Sequence, residues 1–419
     1  MKTFAFALAG IAATACIAVA ATAPAPKAAI GAWGFDLAGM DRSVKPGDDF
    51  FDYANGTWFK NTQIPADRTS IGSFQELRIL SEKRMGELIA DLHAKAPATL
   101  TAEEHQILDL YDGFTDTAGI EARGLAPLKA DLARIDGLKT LDDVATLMGD
   151  PAAAPALNGD SIVADRIGAD PKNSNIYVVF ATQSGLGMPN RDYYLKTDDA
   201  GITATRDAYK KYLVQILGLA GVSKNAEARA AAVYALEEDM AKAEWASAAR
   251  RDADKTYNPM TVAQLQSYAP GFNWTAFFKV QGIGADRKVI VRENTAFVPL
   301  AQTFAKTPLA VWKDYLTIHT IHAMSDYLPK AIDEADFDFY GKVVGGQAQQ
   351  LPRETRAVTL IDQVLPHPFG KLYAAKYFPP ETRAKAEALV ANIVKAYDAD
   401  IRKITWMSDV TRQKALDKL

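Results

Sequence analysis

The sequence predicts a mainly α protein, and three observations carry that reading. Capping signals precede apolar runs of helical period, such runs recur along nearly the whole chain, and β-type runs are few and short. Ser73-Phe74-Gln75-Glu76 reads as a capping box, in which the Ser oxygen and the Glu carboxylate each satisfy an orphan backbone N–H. Leu77, Leu80, Met85, Leu88 and Leu92 follow at near-helical spacing. Thr101 to Glu104 repeats the box ahead of Ile107, Leu108, Tyr111 and Phe114. Further helices are expected over roughly 202–220, 224–246, 309–326, 380–403 and 409–419. Strands are expected only at Ile176–Phe180 and Val289–Val291, which are β-branched or aromatic runs. Pro46-Gly47, Gly187-Met188-Pro189 and Pro270-Gly271 mark loops. The last helix, capped by Ser408 or Asp409, reaches Leu419 with no Gly, Asn or Pro stop. About ten residues of helix are too few to stand alone, so the polypeptide is expected to continue.

A chain of 419 residues has room for about two domains. Hydrophobic residues at 48% and charged residues at 23% suit a globular protein. A net charge of -4 supplies no field for nucleic acid or anionic lipid, so no nucleic-acid partner is expected. The first residues differ from the rest. Lys2 precedes an uncharged apolar run from Phe4 to Ala21 that ends in small residues. Residues 1–21 therefore read as a cleaved signal peptide, and 22–33 as a Pro/Ala-rich lead. The expected location is periplasmic or secreted, without a stable membrane anchor; an uncleaved anchor is the alternative, since the run nearly spans a bilayer. Cys16, the only cysteine, lies inside this leader. It offers a lipoprotein alternative, although Ala13 stands where Leu is usual. The mature chain then has no disulfide and is held by its core alone.

A search for chemistry begins with the five histidines. A zinc peptidase helix needs His-Glu-x-x-His, which sets two imidazoles one turn apart with a Glu to activate water. The residues after the histidines are Ala94, Gln106, Thr320, Ala323 and Pro368, so the motif is absent from this sequence. His319 and His322 form the one close pair; with Asp314 or Asp326 they are a candidate metal module, against two rings that pack or hydrogen-bond separately. His93, His105 and His367 stand alone. Ser184 lacks the preceding Gly of a nucleophile elbow. Gly282-Ile283-Gly284 lacks the strand–turn–helix setting of a dinucleotide motif, and Gly345-Gly346 lacks the Gly-Lys-Ser/Thr of a phosphate loop. The paired carboxylates Asp48-Asp49, Asp198-Asp199 and Glu237-Glu238 read as caps and solvated faces. No catalytic residue and no metal ligand is assigned.

Longer stretches are more specific. Lys45-Pro-Gly-Asp-Asp-Phe-Phe-Asp-Tyr-Ala-Asn-Gly-Thr-Trp58, with Ile64-Pro65-Ala66-Asp67-Arg68 and Gly72-Ser73-Phe74, resembles the opening of the neprilysin and endothelin-converting-enzyme family. Asp170-Pro-Lys-Asn173 and Gln183-Ser-Gly-Leu-Gly-Met-Pro-Asn-Arg-Asp-Tyr-Tyr-Leu195 resemble a second hallmark. Gly370-Lys-Leu-Tyr373, Lys376-Tyr-Phe378 and Trp406-Met-Ser-Asp-Val-Thr411 with Lys414-Ala-Leu416 resemble a third. The residues also have local readings. Asp48 or Asp49 can cap a helix that Asn55-Gly56 stops, and Phe50, Phe51, Tyr53 and Trp58 are expected as apolar anchors. Arg191 and Asp192 can pair with each other or with neighbouring segments.

The resemblance implies the multi-helix lid domain of a two-domain neprilysin-like zinc peptidase, facing a thermolysin-like catalytic domain across a cavity that admits short peptides. The expected organisation is a lead-in segment over 34–60, a helical lid over 61–375, and helices over 376–419 leading to the catalytic domain. Zinc, its ligands and the residues that bind the substrate backbone are implied for the full-length protein, beyond this chain. There a zinc-polarised carbonyl is attacked by water that a Glu deprotonates. This chain alone is expected to be inactive and, with its partner surface missing, poorly stable. Its partners would be short peptide substrates and its own C-terminal catalytic domain. In the family an early Arg holds the substrate's free carboxylate. Here Ser70 takes that position, and Arg68 is the substrate-binding candidate through its bidentate fork, against a plain surface arginine. A non-catalytic periplasmic helical peptide-binding protein is the competing function, and a metal module on His319 and His322 a third.

Overall fold

The computed structural model describes residues 34, 36–153, 161–222 and 224–419. The leader, the Pro/Ala-rich lead and Cys16 lie outside the described residues. Helices dominate, with one small sheet, so the architecture is mainly α. The chain divides into two compact units, one ending at Gln63 and one running from Ile64 to Leu419.

In the first unit Pro46-Gly47 turns the chain and Asp49 caps the Phe50–Asn61 helix, its Oδ1 accepting from Asp52 N at 2.9 Å. Asn55-Gly56 does not stop this helix. Gly56 is buried in its middle, where a Cβ would meet Asp41 Cβ at 2.8 Å, so close packing explains the glycine. Phe50 and Phe51 are not buried anchors; they are 69% and 55% exposed, while Tyr53 and Trp58 are half-buried.

In the second unit the helices Ala200–Leu219, Ala226–Ala243, Leu309–Ala323, Pro380–Lys403 and Asp409–Lys418 fall where the periodicity placed them. Thr101 and Glu104 form the expected capping box at the Ala102–Thr115 helix. Ser73 forms none. Gly72 is the N-cap in extended conformation and Ser73 is the first helical residue, one position too late to cap.

The sheet has strands β1 (Val163–Asp170), β2 (Asn173–Gln183), β3 (Asn258–Thr261) and β4 (Lys288–Val291), in the order β1-β2-β4-β3. β1 and β2 form an antiparallel hairpin turned at Pro171-Lys172. β2 runs parallel to β4, with Phe180 opposite Ile290, and β3 is antiparallel to β4. The two central strands were expected; the two edge strands were not. Val179, Ala181, Val289 and Val291 point into the main core, and Val178, Phe180 and Ile290 pack on the other face with Tyr257. A second cluster joins the helices Ser73–His93, Ala102–Thr115, Arg353–Val364 and Pro366–Tyr377 through Leu88, Leu92, Ile107, Ile361 and Phe369.

Candidate functional site

Arg68 closes a turn, its N–H donating to Pro65 O at 2.9 Å. Ala66 O accepts from Gln349 N and Asp67 O from Gln347 Nε2, both at 2.9 Å, which ties the turn to the 347–349 segment. The Arg68 guanidinium lies on Glu82 of the Ser73–His93 helix, through Nη1 to Oε1 at 3.3 Å and through Nη2 to Oε2. Arg78, one turn earlier, reaches the same carboxylate at 3.2 Å. Arg68 is not a surface arginine: its side chain is 10% exposed, and its Nε is buried without a hydrogen-bond partner. A carboxylate with two oxygens matches a guanidinium edge, so this pairing pins the turn to the helix.

The segment Gln183–Leu195 is held by hydrogen bonds from several helices. Gly185, at φ +99°, turns its carbonyl to accept from Tyr315 Oη at 2.8 Å. Gly187 lies so close to Tyr209 that a Cβ would sit 1.8 Å from the phenol oxygen, and its carbonyl accepts from Tyr340 Oη at 2.9 Å. Beneath it Glu237, fully buried, accepts from Tyr194 Oη at 2.8 Å and Tyr209 Oη at 3.0 Å, and meets His319 Nε2 at 2.9 Å. Burial, and then the Glu237 charge, hold both phenols well above their usual range, so they remain donors. Glu237 is thus no solvated carboxylate. Its place in the stripe Ala230, Val233, Tyr234, Leu236, Met240 and Ala241 was the sequence signal for burial.

At the other end of the segment Gln183 donates to Glu244 Oε2 at 3.1 Å and accepts from Trp245 N at 2.7 Å. Glu293, also fully buried, accepts from Thr182 Oγ1 at 2.8 Å, Gln183 N at 3.1 Å and Arg250 Nε at 3.0 Å. Burial pushes Glu244 up to about 7; the charges of Arg250 and Arg191 and the Gln183 bond oppose this, and that of Glu293 adds to it. Neither Glu244 nor Glu293 was singled out from sequence.

His319 and His322 turn to different carboxylates. His322 Nδ1 meets Asp336 Oδ1 at 2.5 Å, and its ring stacks on Tyr340 with centroids 4.1 Å apart. Asp314 is engaged by Arg229, and Asp326 by Arg356. Among the described residues no group of three or more His, Cys, Asp and Glu side chains is placed to hold a metal ion. His93 meets Asp112 at 2.9 Å. A cleft of about 730 Å³ lies between the Thr117–Arg123 helix, the Lys330–Asp336 helix and residues 350–356. In it Arg356 donates to Asp333 at 2.8 and 2.9 Å, and Gln350 to the same carboxylate at 2.8 Å.

Comparison with known proteins places this geometry. The model of peptidase family M13 matches residues 46–419. Human endothelin-converting enzyme 1 is 26% identical over 399 residues, covering 91% of this chain and 50% of that protein. Neprilysin-3 of Drosophila melanogaster is 26% identical over 405 residues, with 91% and 50% covered. The chain spans about half the length of the curated relatives it matches. Among solved structures, the inhibitor complex of zinc metalloprotease Zmp1 from Mycobacterium tuberculosis superposes with a TM-score of 0.79 at 32% identity, over 91% of this chain and 57% of that one. PepO of Lactobacillus rhamnosis shares the fold, with a TM-score of 0.71 at 19% identity over 88% of this chain and 58% of that one. No helix among the described residues is long and apolar enough to cross a membrane.

Proposed function

The chain belongs to peptidase family M13, and from that premise we propose that it is the N-terminal, lid-forming part of a secreted zinc metalloendopeptidase that hydrolyses short peptides. The single observation that supports a missing partner surface is the Pro380–Lys403 helix. It has 24 residues and none is buried. Leu389, Val390, Ile393, Val394 and Tyr397 lie on it, between 41% and 61% exposed. An apolar stripe of this size on a helix is normally covered. In this reading the catalytic half of the same polypeptide covers it, and the helical region screens the cavity so that short peptides pass and folded proteins do not.

The residues present do not fit the zinc that the family implies. His319 and His322 each face their own carboxylate, and no described cluster supplies a ligand set. Zinc in this proposal is held by residues outside the chain, and no catalytic step is assigned to the residues described. Arg68 is the chain's own candidate contact for a substrate carboxylate, with Glu82 as its competitor for the same fork. Residues 1–21 act as the cleaved leader that directs the mature chain to the periplasm or beyond.

The test compares the purified 419-residue chain with a polypeptide extended by the half that its relatives carry. A fluorogenic short peptide is supplied with and without chelator. Chelator-sensitive hydrolysis is expected only in the extended protein. The reading fails if the 419-residue chain itself cleaves in a chelator-sensitive way or retains stoichiometric zinc after dialysis.

A further inference from the structure

Two guanidiniums line the cleft of about 730 Å³ beside the Lys330–Asp336 helix, and they are compensated unequally. Arg356 holds both oxygens of Asp333, at 2.9 and 2.8 Å, and reaches Asp326 Oδ1 at 2.7 Å. Arg353 instead donates to two neutral carbonyls, Phe114 O at 2.7 Å and Asp326 O at 3.1 Å, and lies over the Phe114 ring at 4.3 Å. Its one bond to a carboxylate is the long contact from Nη1 to Asp333 Oδ2 at 3.4 Å. Asp333 also accepts from Gln350 at 2.8 Å, so that carboxylate is filled. A guanidinium carries five N–H groups, and Arg353 uses three of them. Its side chain is only 16% exposed. Burial, and then the Arg356 charge beside it, hold its pKa below the usual arginine range, even with Asp333 and Asp326 near. The cleft thus keeps a cation whose burial its own carboxylates do not offset.

We propose that this cleft binds the carboxylate of a small apolar molecule: Arg353 takes the carboxylate through its open N–H groups, while Ile120, Leu328 and Leu351 receive the apolar chain. A cavity of this size, apolar with a few placed polar groups, suits a small organic ligand. The guanidinium–carboxylate bond is charge-assisted and supplies the strong contact. The rim is acidic and exposed: Glu121 accepts from Lys330 N at 2.6 Å, and Glu334 pairs with Lys330 Nζ at 3.5 Å. Those carboxylates repel a bare inorganic anion and suit an ammonium. The free C-terminus of a short apolar peptide therefore fits better than a simple acid. Every group named belongs to this chain, and none of them needs zinc.

Isothermal titration calorimetry of the 419-residue chain with leucyl-leucine, leucyl-leucine amide and isocaproate tests this. One-to-one binding of the dipeptide is expected, with the amide at least about tenfold weaker because it loses the charge-assisted pair. Isocaproate weaker than the dipeptide assigns the site to peptide termini, and equal binding assigns it to apolar acids at large; both results uphold a carboxylate site. Arg353→Gln is expected to weaken the dipeptide by about tenfold or more. An amide bound as tightly as the acid, no binding of dipeptide or isocaproate at up to about 10 mM, or wild-type affinity in Arg353→Gln overturns the site. Should Arg353→Gln fail to fold, hydrogen exchange of the wild-type chain saturated with dipeptide takes its place. Protection is then expected at 117–123 and 350–356, and protection confined to other segments overturns the site. The readout is independent of peptidase activity.

Discussion

The Ala226–Ala243 and Pro380–Lys403 helices are both amphipathic in sequence, yet they occupy opposite conditions. The first has 18 residues, of which Ala230, Val233, Tyr234, Leu236, Glu237, Met240 and Ala241 are buried. The second has 24 residues and buries none, although Leu389, Ile393 and Tyr397 repeat every fourth position. Period alone therefore says which face of a helix wants cover, and only tertiary structure says whether cover is present. The buried helix also carries the charge: Glu237 sits in its apolar stripe because two phenols and an imidazole come to meet it.

The sharpest way to break this contrast is Glu237→Ala. It leaves the Tyr194 and Tyr209 hydroxyls and the His319 ring without their shared acceptor, and about 3–5 kcal/mol of stability is expected to be lost. Urea unfolding followed by circular dichroism measures it; a loss under about 1 kcal/mol would mean the network is not a structural node.

Next in size is a pH effect at the end of the same helix. Glu244 ionises at about 7 in the folded chain, against 4.5 for the unperturbed group. Between those values the folded state holds a proton that the unfolded state has released. Stability therefore falls as pH rises through this window, by about 3 kcal/mol in all. Glu244→Gln should flatten that slope. Asp170 works in the opposite sense and in a lower window. The Lys288 ammonium holds its carboxyl at about 2, so its contribution is present above about 4 and is lost as pH falls toward 2. Melts across pH distinguish the two, and a Glu244→Gln slope equal to wild type would refute the assignment.

Arg68→Ala comes third. Glu82 keeps Arg78, so the expected loss is about 1–2 kcal/mol, with the turn at 65–68 loosened. In the extended polypeptide the same change separates a structural from a substrate role. Contact with substrate predicts a higher KM for peptides with a free carboxylate next to the cleavage point and no change for blocked ones; a uniform effect on both excludes it.

The smallest effect belongs to the uncovered helix. Leu389→Glu with Ile393→Glu should change the stability of this chain by no more than about 0.5 kcal/mol, because neither side chain is buried. Light scattering should show less self-association. In the extended protein the same pair should cost several-fold in active yield, and no difference between the two contexts would remove the argument that this face has a partner.

Much of the helical frame was legible, and the failures share a cause. The two central strands read as apolar or β-branched runs: Val289–Val291 and the Val178–Ala181 part of β2 are buried, while Ile176 and Tyr177 are exposed and were legible by residue type alone. The edge strands β1 and β3 carry Asp165, Arg166, Gly168 and Pro259, which a strand with a free edge tolerates and which erase the β signal. Ser73 looked like a cap because residue type was read without backbone angles, and Gly72 took the position instead. Asn55-Gly56 looked like a stop, whereas Gly56 serves close packing against Asp41. At the candidate site Arg68 was named from sequence, but its partner Glu82, fourteen residues on, was not.

Local residue chemistry by itself determined the helical periods, the Thr101 cap, a cap at Asp48 or Asp49 (the structure chose Asp49) and the ordered hallmark segments that mark the family. The folded arrangement alone decided which carboxylates are buried, which partner each histidine takes, and which apolar faces stay open. The physical reason is range. Caps and periodicity are set by neighbours within about one helical turn. Burial of Glu237, Glu244 and Glu293 depends on donors tens of residues away, which only folding brings within hydrogen-bond distance.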